Sequence, residues 1–201
     1  MTAMSDIAVM ILAAGQSTRF GPENKLLHLI DDTSVILHTV KVALSASAKE
    51  VIVVTGHDAQ AIEVELDGTA VRTVRNATPH AGMGTSLAAG ANAVRSLPDA
   101  VMIMLGDMPM VKPETLRQVA SKFDPDSGPD IIVPVHDGRR GHPVLFGATY
   151  LPMLCALTGD TGARAILRDH PERVRAVNVD DPGTLYDIDT QNDLTAPSAS
   201  S

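Results

Sequence analysis

Six short aliphatic runs, mostly separated by segments with helical periodicity, constrain the fold of this chain more than any other feature. They are Ile7 to Leu12, Val51 to Thr55, Val71 to Val74, Val101 to Leu105, Ile131 to Val135 and Val174 to Val179. Strands that alternate with helices are typical of βαβ units and of a sheet covered on both faces. The 201 residues include only three Phe and two Tyr, so the core must be aliphatic, as in parallel sheets. We predict one doubly wound α/β domain in three layers, with a mostly parallel sheet, over residues 1–195.

The segments between the runs predict helices with recognisable starts. Ser34 can cap a helix over residues 34–44, in which Ile36, Val40 and Leu44 share one stripe. Further helices are predicted at Asp58 to Leu66, at Ser86 to about Arg95 and from Pro113 onward. Beyond residue 124 the pattern changes, because Asp124 to Pro129 is a turn-rich loop and residues 137–141 join two strand-like runs as a hairpin would. We therefore expect an antiparallel insertion near one edge of the sheet, and a disordered tail at Ala196 to Ser201.

The composition argues against several classes of function. A net charge of −8 and the lack of Trp disfavour binding of single-stranded nucleic acid, which usually needs a basic groove and aromatic stacking platforms, and we expect no nucleic-acid partner. Cys155 is the single cysteine, so neither an internal disulfide nor a cysteine-based zinc site is expected. The first residues, MTAMSDIAVM, have no basic region, and their apolar run is too short for a signal peptide or a membrane span. We expect a cytoplasmic protein with no membrane partner.

The first aliphatic run ends in a loop of small residues followed by cations. Ala13, Ala14 and Gly15 leave their peptide N–H groups accessible, and Arg19 and Lys25 supply positive charge a few residues later. The spacing excludes a P-loop, because five residues separate the two glycines of the segment and a leucine follows the lysine. Small residues beside two cations predict a nucleoside triphosphate loop.

Acidic residues follow two later segments. Asp107 comes directly after a predicted central strand, at the sheet edge where α/β proteins bind ligands. A carboxylate beside a triphosphate is a typical ligand of Mg²⁺. Near the end of the chain, Asp187 and Asp189 would share one face of an extended segment, because strand side chains alternate. A capping role is the alternative, plausible for Asp189 and strong for Asp193.

Two further stretches suggest contacts with substrates. Gly82, Gly84 and Ser86 lie in a glycine-rich turn before a predicted helix, whose free N–H groups suit an anion or a base edge. An ordinary capped helix start explains that turn equally well. Arg140 and His142, in the stretch RRGHPVLF, can hold the phosphate of an acceptor, with a charged hairpin tip as the alternative.

These motifs resemble a known group of enzymes. LAAGQSTRFGPENK at residues 12–25 is similar to the signature L-A-A-G-x-S-x-R-F-G-x-x-K of the nucleotidyltransferase superfamily, with three residues instead of two before the lysine. That superfamily includes molybdenum cofactor, sugar and isoprenoid nucleotidyltransferases. RGHPVLF at 140–146 and DTGAR at 160–164 resemble the molybdenum cofactor cytidylyltransferase branch. The ending DIDTQNDL resembles the D-I-D-T-P-E-D-L of similar enzymes, with Gln-Asn in place of Pro-Glu. The resemblance implies a Rossmann-like three-layer sandwich.

The resemblance also implies roles for individual residues. Catalytic roles fall to Lys25, Arg19 and Asp107. Nucleotide contacts fall to Leu12, Ala13, Ala14, Gly15, Ser17, Lys25, Gly82, Gly84, Ser86 and Asp107. Acceptor contacts fall to Arg140, Gly141, His142, Pro143 and Arg164. The cofactor Mg²⁺ would bind Asp107 and Asp187, with Asp189 as the alternative to Asp187.

The implied reaction is transfer of CMP from CTP to molybdopterin, a phosphorylated pterin, with release of pyrophosphate. Ala14 resembles the cytidine branch and favours CTP over GTP. One alternative is a sister nucleotidyltransferase that uses GTP or another triphosphate and a different phosphorylated acceptor. The other is a noncatalytic accessory protein of a molybdenum hydroxylase. Such a hydroxylase or its chaperone is also the protein partner that the resemblance suggests.

Overall fold

A mixed sheet with helices on both faces forms the centre of this computed structural model, which describes residues 2–17, 20–21, 23–95, 97–126 and 130–195. The strands are β1 Ile7–Ala13, β2 Leu29–Ile30, β3 Thr33–Ser34, β4 Glu50–Thr55, β5 Arg72–Arg75, β6 Ala100–Leu105, β7 Ile131–His136, β8 Arg139–Arg140, β9 Val144–Gly147 and β10 Val174–Asn178. The α-helices are α1 Val35–Ser45, α2 Ala59–Glu65, α3 Met83–Ala93, α4 Pro113–Ala120, α5 Leu151–Cys155 and α6 Arg164–Asp169. The six predicted strands and the α/β class are confirmed.

The strand order identifies the sheet edge that can hold a ligand. Eight strands form the main sheet in the order β10-β7-β9-β6-β1-β4-β5, with β8 paired to β7, while β2 and β3 form a separate small hairpin. β1 is central and runs parallel to both β4 and β6. From β1 the chain moves outward to β4 and β5, and then crosses to β6 on the other side of β1. Ligands of open α/β sheets bind at such a reversal, beyond the carboxyl ends of the strands.

Two aliphatic cores lie on the two faces of the sheet, so β1 is buried on both sides. Ile7, Val9 and Ile11 pack in the core that includes buried residues of α1, α2 and α4. Ala8 and Met10 pack in the other core, with buried residues of α3, α5 and α6. This arrangement explains why the first aliphatic run does not alternate with polar residues.

The helix starts follow local sequence rules, with one shift. The Ser34 hydroxyl accepts a hydrogen bond from the Leu37 N–H at 3.3 Å, and Pro113 lies in the first turn of α4, both as predicted. α3 begins at Met83 rather than at Ser86, because the chain already turns at Gly82, whose φ is 107°. Further along α3, a β-carbon on Gly90 would lie 2.0 Å from Met10 Sδ, so this helix packs directly against β1.

The predicted hairpin and antiparallel insertion are also present. β7 and β8 pair antiparallel around Asp137 and Gly138, both of which have positive φ as a tight hairpin turn requires. β9 lies between β6 and β7 and runs antiparallel to both. The predicted tail, Ala196 to Ser201, lies outside the described residues. Within the described ranges, the helices are too short or too polar to cross a membrane.

Candidate active site

The register of the central strands brings the small-residue loop beside Asp107. Leu12 of β1 pairs with Leu105 of β6, and the Gly106 N–H donates to the Leu12 carbonyl at 2.9 Å. Both strands therefore end at the same edge, one followed by Ala14 to Ser17 and the other by Gly106 and Asp107. The predicted nucleotide loop and the predicted metal ligand thus lie side by side.

The loop after β1 exposes its backbone and positions the lysine that follows. A β-carbon at Gly15 would meet no atom within 4 Å, so the peptide there is accessible to a ligand. Ser17 adopts a left-handed φ of 51°, and its hydroxyl donates to Asn24 Oδ1 at 3.3 Å. The same oxygen accepts from the Leu26 N–H at 3.0 Å and so caps the short helical turn that begins at Lys25. Arg19, predicted as a catalytic cation, lies outside the described residues.

Lys25 reaches two of the predicted metal ligands directly. Its Nζ lies 2.6 Å from Asp107 Oδ2 and 3.1 Å from Asp189 Oδ1, and its side chain is only 13% exposed. Burial alone would lower the pKa of Lys25, but the two carboxylates outweigh burial and raise it. The ammonium is therefore charged at neutral pH and acts as the counter-ion of an acidic cluster.

Asp107, Asp187 and Asp189 form that cluster. Each offers a carboxylate oxygen, and the three oxygens lie within 4.8 Å of one another. Ile188 is fully buried and its N–H donates to the Asp107 carbonyl at 2.9 Å, which fixes the segment that carries the other two acids. Asp187 and Asp189, weighed as alternatives from the sequence, thus both lie near Asp107. Asp193 lies within the short helical turn Gln191–Thr195 and accepts from the N–H groups of Thr190 and Asp189, hydrogen bonds that lower its pKa, so it bonds residues before it rather than capping a helix that follows it.

The acidic cluster suits a divalent metal ion. Asp107 Oδ1 is buried and has no hydrogen-bond partner within the described part of the chain, which leaves a lone pair for a cation. Carboxylate oxygens are the donors that Mg²⁺ and Mn²⁺ prefer. Among the described residues, no other group of three histidine, cysteine or acidic side chains is placed to hold a metal ion.

A cavity of about 800 Å³ joins the loop, the lysine and the acids. Its walls include most of the predicted nucleotide contacts, namely Leu12, Ala13, Ala14, Gly15, Ser17, Lys25, Gly82, Ser86 and Asp107, together with Asp187 and Asp189. Gly84 is not among the lining residues. Its N–H donates to the Gly159 carbonyl at 2.8 Å, and a β-carbon there would come within 2.6 Å of the Thr158 carbonyl oxygen. The glycine at position 84 therefore serves close packing of α3 against a loop.

A second cavity of about 1050 Å³ adjoins the first. The two share the lining residues Leu12, Met83, Leu105, Asp160 and Arg164. Arg140, Gly141, His142 and Arg164 line the second cavity, whereas Pro143, also predicted as an acceptor contact, does not. Most of the remaining wall is apolar, with Ile103, Val133 and Phe146 among its members. The second cavity thus offers cations beside an apolar surface.

His142 contributes a neutral imidazole to this cavity. Burial lowers its pKa, and Arg164 adds to that effect, while a hydrogen bond to the Ile103 backbone and the charges of Asp107 and Asp187 oppose it. The Nδ1 atom is buried without a hydrogen-bond partner among the described residues. A neutral ring with one unpaired nitrogen can bond a ligand at neutral pH.

Asn76 is a residue of this region that the sequence analysis missed. It follows β5, is buried, and hydrogen-bonds Thr78 and the hydroxyls of Thr85 and Ser86. A lone asparagine after a short strand has no motif around it that signals such a role. Its side chain links the carboxyl end of β5 to the first turns of α3.

The fold and this site define the class as a nucleotidyltransferase. The family model described as MobA-like NTP transferase domain matches residues 9–174. The chain belongs to this family, which confirms the resemblance noted in its sequence.

Solved structures support the same class. A nucleotidyl transferase from Methanothermobacter, Mth528, is 30% identical with a TM-score of 0.80, over 93% of each chain. Rv0371c from Mycobacterium tuberculosis H37Rv is 30% identical with a TM-score of 0.81, over 94% of this chain and 95% of the other. A complex of Rv0371c with manganese is 32% identical with a TM-score of 0.74, again over 94% and 95%.

Proteins with different names are similar in sequence to this chain. Nicotine blue oxidoreductase from Paenarthrobacter nicotinovorans is 28% identical over 186 residues, which cover 90% of this chain and 91% of that protein. Bifunctional protein GlmU from Geobacter metallireducens is 32% identical over 115 residues, 57% of this chain but only 24% of GlmU. Similarity to these proteins therefore does not by itself assign a substrate.

Proposed function

We propose that this protein transfers CMP from CTP to a phosphorylated pterin, molybdopterin, with release of pyrophosphate. The observation that carries the proposal is the pair of adjoining cavities. One holds the small-residue loop, Lys25 and the three carboxylates of the acidic cluster, the other holds Arg140 and His142, and Arg164 lines both. A triphosphate in the first cavity would lie next to an anionic acceptor in the second.

The reaction requires positioning and charge neutralisation more than a protein nucleophile. A phosphate oxygen of the acceptor attacks the α-phosphorus of CTP, a new P–O bond forms, and the bond to the β-phosphate breaks to release pyrophosphate. The acceptor phosphate is already ionised at neutral pH, so no general base is needed. The peptide N–H groups at Gly15 to Ser17 would donate to the triphosphate, and the charged Lys25 would neutralise it. Arg19, from the same segment, would add a second cation.

Asp107, Asp187 and Asp189 would together hold the divalent metal ion, Mg²⁺ or Mn²⁺. When bound, the ion would supply positive charge to the phosphates of the nucleotide. The manganese complex of Rv0371c supports a divalent ion in a protein of this fold. Because Lys25 now contacts Asp107 and Asp189, the lysine would have to leave these carboxylates when the metal is bound and turn toward the triphosphate.

The second cavity supports a phosphorylated acceptor with a ring system. Arginine guanidinium groups bind phosphate in two-point contacts, and the apolar wall around Phe146 suits a flat heterocycle. Ala14, which lines the nucleotide cavity, supports CTP over GTP through its resemblance to the cytidine branch. Nδ1 of the neutral His142 ring would accept one hydrogen bond from the pterin, because the other ring nitrogen donates to the Ile103 backbone.

The decisive experiment measures pyrophosphate release with each of the four nucleoside triphosphates, Mg²⁺ or Mn²⁺, and molybdopterin. We expect release with CTP, and an Arg164→Ala variant should raise the KM for molybdopterin about tenfold or more. Arg175→Ala, at an exposed position on the edge strand β10, is the matched control and should leave the KM unchanged.

Other outcomes would redirect the assignment. A preference for GTP would show that CTP is not the nucleotide substrate. Pyrophosphate release with another phosphorylated acceptor, but not with molybdopterin, would identify a different acceptor. No release with any triphosphate would favour the accessory role at a molybdenum hydroxylase. Oxidoreductase activity without pyrophosphate release would instead point to redox chemistry, as the name of the Paenarthrobacter relative suggests.

A further inference from the structure

Asn76 has a side chain whose orientation is fixed by its neighbours. It is 5% exposed, and its backbone N–H donates to the Thr55 carbonyl at 2.8 Å. Its Oδ1 accepts a hydrogen bond from the Thr78 N–H at 2.9 Å. A backbone N–H can only donate, so the amide oxygen must face Thr78 and the amide NH₂ must face α3.

The NH₂ group of Asn76 donates to two hydroxyls in the first turns of α3. Nδ2 lies 2.8 Å from Thr85 Oγ1 and 3.0 Å from Ser86 Oγ. The Thr85 hydroxyl donates its own hydrogen bond to a backbone carbonyl, since Oγ1 lies 2.8 Å from the Gly82 oxygen and 3.1 Å from the Thr78 oxygen. Ser86 differs, because within the described ranges its hydroxyl has no acceptor for its own proton.

Ser86 nevertheless lines the nucleotide cavity and is 6% exposed. One lone pair of its oxygen is occupied by the Asn76 NH₂, so its O–H is left to donate to whatever fills the cavity. A buried donor of this kind discriminates strongly, because a ligand without a matching acceptor leaves it unpaired.

We propose that Asn76 is a positioning residue that sets the hydrogen-bond polarity of the nucleotide cavity by directing the Ser86 hydroxyl proton toward the bound base. The inference rests on the proposed function, because CTP would fill the cavity that Ser86 lines. The chemistry selects a base that presents a lone pair at that point, such as a carbonyl oxygen or an unprotonated ring nitrogen of a pyrimidine. A base that presents an N–H group there is rejected. Asn76 itself is not among the residues that line the cavity.

The test reverses the polarity at constant size. Asn76→Asp replaces the NH₂ donor with an acceptor oxygen, so the Ser86 hydroxyl turns to donate to the introduced carboxylate and presents a lone pair to the base. We expect the Kd for CTP with Mg²⁺, measured by calorimetry without acceptor, to rise about 10- to 100-fold. The kcat at saturating CTP should change by less than about threefold, because the base is remote from the reacting phosphate.

Three further variants separate positioning from a merely structural role. Ser86→Ala should raise the Kd for CTP about 5- to 10-fold, and adding Asn76→Asp to it should change the Kd by no more than about twofold. Thr85→Val is the matched control: it removes the other hydroxyl that bonds Asn76 and should leave the Kd for CTP near the wild-type value. Circular dichroism and thermal melting verify that each variant is folded.

Several results would overturn the inference. It fails if Ser86→Ala or Asn76→Asp binds CTP as tightly as wild type. It also fails if Asn76→Asp weakens binding equally in the Ser86→Ala background. Failure of the proposed function is seen separately, as a lack of pyrophosphate release by a wild-type protein that still binds CTP.

Discussion

Replacing Lys25 with methionine should tighten the binding of a divalent metal ion to the nucleotide-free protein. The ammonium lies 2.6 Å from Asp107 Oδ2 and 3.1 Å from Asp189 Oδ1, so it forms ion pairs with two of the three acids of the proposed metal site. A metal ion must compete with it. Methionine has a similar length but no charge, so Lys25→Met removes the competitor and leaves the carboxylates in place.

The distances and exposures set the expected magnitude. A hydrogen bond to a charged group contributes about 1.5–3 kcal/mol net. The contact with Asp107 joins side chains that are 13% and 18% exposed, so most of that value applies. The Asp189 side chain is 40% exposed, and water screens that contact. Displacing the lysine therefore costs about 2–3 kcal/mol, which corresponds to roughly 30- to 140-fold in metal affinity.

Calorimetric titration of Mn²⁺ into the nucleotide-free protein measures this difference. Lys41→Met is the matched control, because Lys41 is exposed on α1 and its loss changes the net charge equally. With CTP present, Lys25→Met should instead bind Mn²⁺ more weakly than the wild type, because the variant lacks a cation that would bind the triphosphate. The reasoning is refuted if Lys25→Met binds Mn²⁺ no more tightly than Lys41→Met does.

Three other outcomes can be measured directly. Asp107→Asn should lower metal-dependent turnover at least about 100-fold with a near-normal melting temperature, and near-normal turnover would remove Asp107 from the mechanism. Gly90→Ala should reduce the free energy of unfolding by about 1–3 kcal/mol, because the added carbon would lie 2.0 Å from Met10 Sδ. Gly162→Ala, whose added carbon would have its nearest contact at 3.5 Å, is the control and should leave the free energy of unfolding almost unchanged. Urea denaturation measures both. Burial lowers the pKa of His142 below 6.5, so the unfolded chain binds more protons just below that pH, and stability should fall as the pH drops from 6.5 toward the folded pKa. His142→Gln should remove that part of the pH dependence when the melting temperatures of wild type and variant are measured over the same pH range. An identical pH dependence in the two proteins would contradict the role of His142.

Local patterns predicted the parts of the site that depend on one segment at a time. The small-residue loop follows β1 as its aliphatic run indicates, and the alternation around a buried Ile188 brings Asp187 and Asp189 to one side. The sheet edge shared by Lys25 and Asp107 was also predictable, because parallel strands end together.

Features that depend on distant segments were beyond the sequence. The direct contact of Lys25 with Asp107 depends on how the chain folds back between residues 25 and 107. Gly84 was assigned to the nucleotide because a glycine beside a ligand and a glycine beside a loop give the same motif, and only the position of Thr158 separates them. Asn76 bonds three neighbours through a side chain that no periodicity marks.

The direction of β9 decides which chain segments can meet a ligand. A strand that runs against its neighbours starts where they finish, so the segment before β9, with Arg140 and His142, arrives at the same rim as the residues that follow β1 and β6. In a wholly parallel arrangement that preceding segment would emerge on the opposite side of the molecule. Because β9 is reversed, the segment that leads into it lies at the same sheet edge as the segments that leave β1 and β6. Two reactants can therefore bind side by side at that edge.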